Sequence, residues 1–159
     1  KVGDVITAIN DIEIEGPQAL WFRLATFPVG TEVKITSLRG GDMIDLKMVT
    51  ATPPEKPERD TTELGGATPL SGAVVVNISP AVSEEMGPFV VENGVVISGI
   101  KNGSHASRFG FRQGDIILNI NGKDVENVTD VKSFVKKQAR QWNIQFNRGG
   151  QDLNLMVNG

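Results

Sequence analysis

The sequence predicts a β-rich α+β protein that contains two copies of one small domain, the first copy incomplete. Three observations support this prediction. The chain has eighteen glycines but only seven Phe and two Trp residues, which favours short strands joined by many turns. Runs of alternating apolar residues recur along the chain, as expected of half-buried strands. Finally, the same order of turns, strands and a helix occurs twice.

Composition and charge exclude several classes of function. The net charge of −3 offers no basic surface for nucleic acid or an anionic membrane. No window approaches eighteen apolar residues, so the sequence predicts no transmembrane helix. The chain has no cysteine and one histidine, which excludes disulfides and argues against a zinc site, since zinc takes three or four ligands. We therefore expect neither a metal nor another cofactor.

The internal repeat is the most informative signal. Gly3–Ile6 matches Gly114–Ile117, and each match is followed by a second pair of similar residues and a turn. Further on, 33–41 matches 142–150, and both of these runs end in Arg-Gly-Gly. Because the blocks keep their order and nearly their spacing, two copies of one domain are the natural interpretation.

The elements of each repeat follow from local patterns. Each Gly-Asp pair ends a turn before a short strand, and Asn121-Gly122 is a strong tight-turn signal. A helix follows: in the first copy Pro17 occupies its first position, and Leu20, Leu24 and Phe27 keep helical spacing until Pro28. In the second copy Thr129 is the predicted N-cap, and the apolar face is formed by Val131, Phe134 and Val135. A β-hairpin closed by Arg-Gly-Gly ends each copy.

The regions around the repeats complete the domain organisation. Residues 1–50 correspond to the C-terminal half of a first domain, and residues 67–159 to a complete second one. Residues 51–66 hold three prolines and six charges, so we expect a linker there. In the second domain, residues 74–78 and 94–98 are predicted strands. Between them lies a predicted helix, which Ser79 caps and Gly87 ends.

The order of these segments resembles a PDZ domain of the type found in HtrA/Do-family serine proteases. The resemblance is carried by LSGAVVVNI, SPAVSEEMG, GVVISGI and most specifically by the run GSHASRFGFRQGDIILNING over residues 103–122. It covers 67–159 completely and 1–50 as a partial copy. It implies a PDZ-like, partly open β-barrel or sandwich with two helices, and a position C-terminal to a protease domain.

The resemblance also implies a binding mode. An extended peptide would pair with the edge of strand 74–78, beside the helix near 131–138. The backbone N–H groups of the turn at 71–73 would face its terminal carboxylate, and apolar side chains would form a pocket. The implied peptide-binding residues are Leu70, Ser71, Gly72, Ala73, Val74, Val75, Val76, Val131, Phe134, Val135 and Gln138.

Other candidate chemistry has simpler interpretations. His105 is adjacent to Ser104 in a turn, whereas a Ser-His-Asp mechanism draws its groups from separated segments, and Gly-x-Ser-x-Gly is absent. Asp4 and Asp115 each follow a glycine before a strand, and we expect them to accept turn N–H bonds. The chain is therefore expected to have no catalytic residues.

The resemblance implies the non-catalytic region of a Do-like serine endopeptidase that is periplasmic or otherwise secreted. Such a region would bind C-termini or extended apolar segments of unfolded proteins, or mediate assembly with other copies of the same protein, in protein quality control. Two alternatives remain open. One is a tandem-PDZ scaffold or adaptor, and the other is the PDZ segment of a membrane metalloprotease or of a C-terminal processing protease.

Overall fold

A computed structural model describes residues 1–91, 93–137 and 139–158. The chain divides into two compact units, Lys1–Thr52 and Pro53–Gly159. Residues 53–66, most of the predicted linker, therefore group with the second unit. The reason is that this stretch contains a short strand and a buried leucine, both described below.

The first unit is one antiparallel sheet with one helix. Its elements are β1 (Val5–Ile9), β2 (Ile12–Glu13), α1 (Pro17–Ala25), β3 (Glu32–Arg39) and β4 (Asp42–Val49). The strands lie in the order β2-β1-β3-β4. The predicted helical stripe packs on the sheet, because Leu20, Leu24 and Phe27 contact a core of Ile9, Val33 and Ile35.

Little of the first unit is fully buried. All of α1 is described, and none of its residues is fully buried. Trp21 and Phe22 on this helix are 70% and 76% exposed. Three fully buried apolar side chains form the core cluster of this unit, so its stability rests on a small buried area.

The second unit contains one larger antiparallel sheet. Its strands are β5 (Thr62–Glu63), β6 (Ala73–Asn77), β7 (Val95–Ile100), β8 (Ile116–Ile120), β9 (Lys123–Asp124), β10 (Gln141–Arg148) and β11 (Gln151–Asn158). Its helices are α2 (Pro80–Met86), α3 (His105–Arg108) and α4 (Val128–Val135). The strand order is β11-β10-β8-β7-β6-β5, with β9 paired to β8. The sheet does not close on itself, which confirms the predicted β-rich, partly open fold.

Strand β6 contributes to two apolar clusters on its opposite faces. Ala73 and Val75 belong to the main core, together with Trp142 and residues of most other strands. Val76 packs in a smaller cluster with Val82 of α2. This alternation is the two-residue period of a strand that is covered on both sides.

The helix starts were predicted with mixed success. Ser79 caps α2 as expected, and its hydroxyl accepts a hydrogen bond from the N–H of Val82 at 3.3 Å. The predicted cap of α4, Thr129, is wrong. Asn127 is the N-cap, and it forms a capping box with Asp130. The reciprocal side-chain bonds of this box satisfy two backbone donors, which a cap at the exposed Thr129 would leave unpaired.

The two copies share hydrogen bonds as well as elements. Asn10 has a positive φ of 46°, and its side-chain oxygen accepts a bond from the N–H of Lys34 at 2.8 Å. Asn121 has a φ of 52°, and its side-chain oxygen accepts from the N–H of Asn143 at 2.8 Å. In both units the turn after the first repeat strand is therefore fixed to the following hairpin in the same way.

Candidate functional site

The predicted site residues fall on three adjacent parts of the second unit: the turn at 70–73, strand β6 and helix α4. Leu70, Ala73, Val75 and Val131 are buried together in the main core. Phe134 and Val135 of α4 pack against this core from its edge. The structure thus brings these side chains together, as the binding mode requires, while Gln138 lies outside the described residues.

Not every residue of β6 contributes a side chain to the predicted peptide-binding site. Val74 is half-buried and lies outside the described core clusters, whereas Val76 packs against Val82 on the opposite face of the sheet. Because side chains alternate along a strand, Val76 can offer only its backbone to a partner lying beside β6.

The turn at 70–73 uses its three N–H groups differently from the expectation. The N–H of Ser71 donates to the carbonyl of Thr68 at 3.1 Å, and the N–H of Ala73 donates to the carbonyl of Leu70 at 3.0 Å. The first bond joins the turn to the loop that precedes it, and the second closes the turn itself. The N–H of Gly72 points out of the turn and donates to the carbonyl of Leu64 at 2.7 Å.

Only glycine fits at position 72. Its φ is +84°, in the left-handed region that favours glycine. A Cβ placed there would lie 2.3 Å from Cβ of Ser104 and 2.8 Å from its Oγ. The glycine therefore lets the turn approach the start of α3 and holds the Gly72 N–H in its outward direction.

A segment of the same chain lies along β6. Strand β5 pairs antiparallel with β6, with Thr62 opposite Val75 and Glu63 opposite Val74. The N–H of Leu64 donates to the carbonyl of Ala73 at 2.8 Å. Because β7 pairs with the other side of β6, both edges of β6 are occupied in the described structure.

Asn77 fixes the other end of this pairing. Its backbone N–H donates to the carbonyl of Arg59 at 2.8 Å, and its side-chain amide donates to the carbonyl of Glu58 at 2.7 Å. The side-chain oxygen of Asn77 also accepts from the N–H of Val128, the first residue of α4, at 2.8 Å. One buried asparagine thus connects the segment, β6 and α4.

An open groove remains beside β5. It has a volume of about 400 Å³ and is bounded by residues 62–68 on one side. On the other side lie Lys132 and Val135 of α4 and Lys136, the residue that follows the helix. Lys132 contacts the segment directly, since its ammonium lies 3.1 and 3.2 Å from the two carboxylate oxygens of Asp60. Helix α4 therefore borders the segment rather than an empty edge of β6.

His105 has a structural contact. Its Nδ1 lies 3.3 Å from the carbonyl of Thr68, in the loop that leads into the turn at 70–73. A second groove of about 340 Å³ lies beside it, lined by residues that include Arg108, Phe109 and Trp142. His105 is the first residue of α3 rather than part of a turn, and its contact helps to hold residues 67–70.

Within 1–91, 93–137 and 139–158, no three or more His, Cys, Asp or Glu side chains form a group that could hold a metal ion. No helix in that described part is long and apolar enough to cross a membrane.

The sequence prediction missed the residues that occupy the edge of β6, above all Arg59, Asp60 and Leu64. One signal was present. Leu64 is the single large apolar side chain within residues 51–66, and Gly-Gly follows it directly. A lone leucine at the end of a polar stretch is a candidate anchor, and here it is only 2% exposed.

The chain is similar to periplasmic serine proteases along nearly its whole length. The chain is 27% identical over 157 residues to the periplasmic serine endoprotease DegP of Salmonella typhimurium, covering 99% of this chain and 30% of that protein. The Escherichia coli K12 DegP is 24% identical over the same shares. A probable periplasmic serine protease of Haemophilus influenzae, described as do/HhoA-like, is 27% identical, and 31% of it is covered. The chain spans about a third of the length of these relatives.

Two solved structures are also similar. One is the HtrA3 PDZ domain bound to a phage-derived ligand (FGRWV), with a TM-score of 0.48 and 23% identity over 55% of this chain and 81% of that chain. The other is the HtrA-type protease AlgW with a decapeptide, with a TM-score of 0.48 and 16% identity over 98% of this chain and 54% of that one.

A family model gives the decisive match. The model described as the PDZ domain matches residues 60–158, which are well over half of the chain. This match and the relatives confirm the predicted resemblance to the PDZ regions of HtrA/Do-family proteins. The matched range begins at Asp60, and so includes β5 as well as the turn and strand of the predicted groove. The chain therefore belongs to the PDZ domain family.

Proposed function

We propose that this chain is a non-catalytic PDZ region of a periplasmic Do-like serine endopeptidase. In this proposal the second unit binds extended apolar segments and C-termini of unfolded proteins by strand addition to β6. We also propose that the chain assembles with other copies of the same protein. Both activities would serve protein quality control. The similarity of nearly the whole chain to periplasmic serine endoproteases supports both the proposed parent protein and its periplasmic location.

One observation supports the binding mode most directly. An extended segment already lies along β6 in antiparallel register, with its last residue, Leu64, bonded to Gly72 and Ala73. The bonds at Leu64 are 2.7 and 2.8 Å long, and its side chain is buried in the main core. A groove that receives one extended segment in this geometry has the backbone donors, acceptors and pocket that another segment needs.

The proposed roles follow from this geometry. The N–H of Gly72 would donate to a terminal carboxylate, and the backbone of residues 73–76 would pair with the peptide. Val131 would contact the apolar side chain of the last peptide residue, with Phe134 and Val135 at the rim. Leu70 and Ser71 complete the proposed site at its turn, and Gln138, outside the described residues, stays a predicted member of it.

An NMR titration of the whole chain tests the binding proposal. The probe is a heptapeptide with the sequence of residues 58–64, ERDTTEL, with a free C-terminus, raised to a concentration of roughly 1 mM, which exceeds weak dissociation constants. We expect the amide signals of Gly72 and Val74 to shift, and an amidated peptide to shift them less. If neither peptide moves these signals, in the chain or in its Leu64→Ala variant, the groove is not a peptide site.

Casein digestion tests the non-catalytic part. Incubation of this chain with unfolded casein is expected to release no peptides. Cleavage that a serine-directed covalent inhibitor abolishes would show that the chain carries an active site of its own. A sample with His105→Ala is a suitable companion, since the proposal assigns this residue a loop contact only.

A further inference from the structure

We propose that residues 59–64 are a built-in ligand that closes the peptide groove of the second unit, and that outside peptides bind by displacing it. This inference rests on the proposed function, because it concerns the same groove. It adds a regulatory step, and it also specifies the peptide chemistry that the groove selects. The residues 59–64 are called the internal segment below.

The backbone of the internal segment has the arrangement of a bound C-terminal peptide. It runs antiparallel to β6, and its last residue, Leu64, lies beside the turn at 70–73. The Leu64 carbonyl accepts the hydrogen bond of Gly72, the one N–H of that turn which points outward. A chain that ended at Leu64 would place its carboxylate against this donor.

The side chain of Leu64 occupies the pocket. It is 2% exposed and belongs to the main core, where Leu70 and Val131 are also buried. Thr62 is half-buried and Glu63 is exposed. The internal segment is thus anchored by one apolar side chain at its end, and an outside peptide would need to supply an equivalent residue.

Three ion pairs hold the polar part of the internal segment, two of them formed by Arg59. The guanidinium of Arg59 donates to both carboxylate oxygens of Glu85 on α2, at 2.8 and 2.6 Å, and its Nε donates to Glu55 at 2.9 Å. The carboxylate of Asp60 accepts hydrogen bonds from the ammonium of Lys132 on α4. Solvent-exposed pairs of this kind each change an equilibrium only about two- to fivefold, so they favour closure without making it permanent.

The internal segment specifies the class of peptide that can replace it. Leu64 corresponds to the last residue, Glu63 and Thr62 to the two before it, and Asp60 to the position that faces Lys132. The groove should therefore prefer C-terminal peptides that end in a branched aliphatic residue and carry an acidic side chain four positions earlier. The acidic residue would take the place of Asp60 at the α4 ammonium.

Displacement has two consequences. The apparent affinity for an outside peptide falls by the fraction of molecules in which the groove is open. In addition, the released segment lies next to the boundary between the two units at residue 52. Residues 53–64 would then become a flexible tether.

Fluorescence polarisation of labelled ERDTTEL peptide with the whole chain tests the competition. Leu64→Ala removes the anchor of the internal segment, and Glu63→Ala is the matched control on an exposed neighbour. We expect Leu64→Ala to bind the peptide at least tenfold more tightly than the unmodified chain, and Glu63→Ala to stay within about twofold. Peptide with Asp replaced by Ala at the fourth position before the end should bind more weakly.

Amide hydrogen exchange gives an independent readout of the same proposal. The N–H groups of Leu64, Gly72 and Asn77 bond across the contact with the internal segment or its flanks. We expect them to be protected in the unmodified chain and to exchange at least tenfold faster in Leu64→Ala. The amides of β8 should be unchanged, which shows that the variant remains folded. Should Leu64→Ala fail to fold, Arg59→Ala is expected to change binding and exchange two- to fivefold in the same directions.

The outcomes separate the two proposals. Equal peptide affinity of the unmodified chain and Leu64→Ala would overturn the built-in ligand and leave the peptide groove standing. Unprotected Leu64 and Gly72 amides in the unmodified chain would also overturn it, whatever the peptide does. If the amides are protected but no variant binds any peptide, the proposed function fails, and the internal segment is a structural strand only.

Discussion

The carboxylate of Asp115 is bonded to the guanidinium of Arg148, with both Nε and Nη2 at 2.7 Å from its oxygens. The first unit repeats this pair with Asp4 and Arg39, where Nε lies 2.7 Å from the carboxylate. In each unit a Gly-Asp turn is thereby connected to the Arg-Gly-Gly hairpin. Asp115 also accepts the turn N–H of Arg112 at 2.8 Å, as the sequence predicted, but the arginine pairing was not predicted.

Replacing Asp115 by Asn should destabilise the second unit. Asp115 is fully buried, so its loss leaves the Arg148 guanidinium without its charged partner. Because the Arg148 side chain is 29% exposed and keeps part of its hydration, the loss should be no larger than the roughly 3 kcal/mol that removing one member of a fully buried pair costs. Urea unfolding followed by Trp142 fluorescence, in a Trp21→Phe background, measures this loss.

The control for this experiment is Asp4→Asn, which changes the equivalent pair of the other unit. It should leave the Trp142 transition where it was. A change below about 0.5 kcal/mol in Asp115→Asn, the size of an ordinary surface substitution, would show that the buried pair contributes little.

Acid should weaken the first unit through Asp4. The Arg39 guanidinium holds the pKa of the Asp4 carboxyl well below its ordinary value of 3.8. Because the pKa is lower in the folded chain than in the unfolded one, this stabilisation is complete above the unfolded pKa and is lost as pH falls below it. We expect the free energy of unfolding of the first unit to fall between about pH 5 and about pH 2.

Two-dimensional NMR signals from β1 and β3, recorded in urea at several pH values, follow this unit alone. In Asp4→Asn the same signals should depend less on pH over that range, because the asparagine does not titrate. An unchanged pH dependence in the variant would assign the acid sensitivity to other carboxylates.

Patterns that repeat or lie close together in the sequence predicted most of the fold. The Gly-Asp turns, the hairpins and the apolar stripe of α1 each depend on neighbouring residues, and the second copy supports the assignment of the first. The cap at Ser79 is local in the same way, since its partner Val82 lies three residues on.

The part that sequence could not predict depends on contacts between distant residues. Strand β5 has only two residues, lies in a proline-rich and charged stretch, and becomes a strand because β6 offers it an edge. Leu64 is buried because it packs into the main core, which residues distant in the sequence form together. No alternation within 51–66 encodes either fact, and so this stretch was interpreted as a linker.

Gly72→Ala should be the most damaging single-methyl change in the groove. It forces a left-handed φ of +84° on alanine and places Cβ 2.3 Å from Cβ of Ser104. Backbone strain of about 1–2 kcal/mol and overpacking of about 1–3 kcal/mol should add. Gly103→Ala is the matched control, since its φ is +73° and its Cβ would meet no atom within 4 Å.

In urea unfolding of the second unit, Gly72→Ala should therefore lose more free energy of unfolding than Gly103→Ala. The loss in Gly103→Ala should come from backbone strain alone. Equal losses in both variants would mean that the chain near Ser104 moves aside at no cost. The Gly72→Ala protein should also lose protection of the amides of residues 64 and 72, because the turn can no longer direct the N–H of residue 72 outward.

The start of α4 provides the last prediction. Asn127→Ala removes the side-chain oxygen that accepts from the N–H of Asp130 at 3.1 Å, and it breaks the capping box. A lost N-cap of this type costs about 1 kcal/mol of the free energy of unfolding. Thr129→Ala, at the exposed position that the sequence favoured, should cost less than about 0.5 kcal/mol. Thermal unfolding followed by circular dichroism compares the two variants, and a larger loss in Thr129→Ala would place the cap at Thr129.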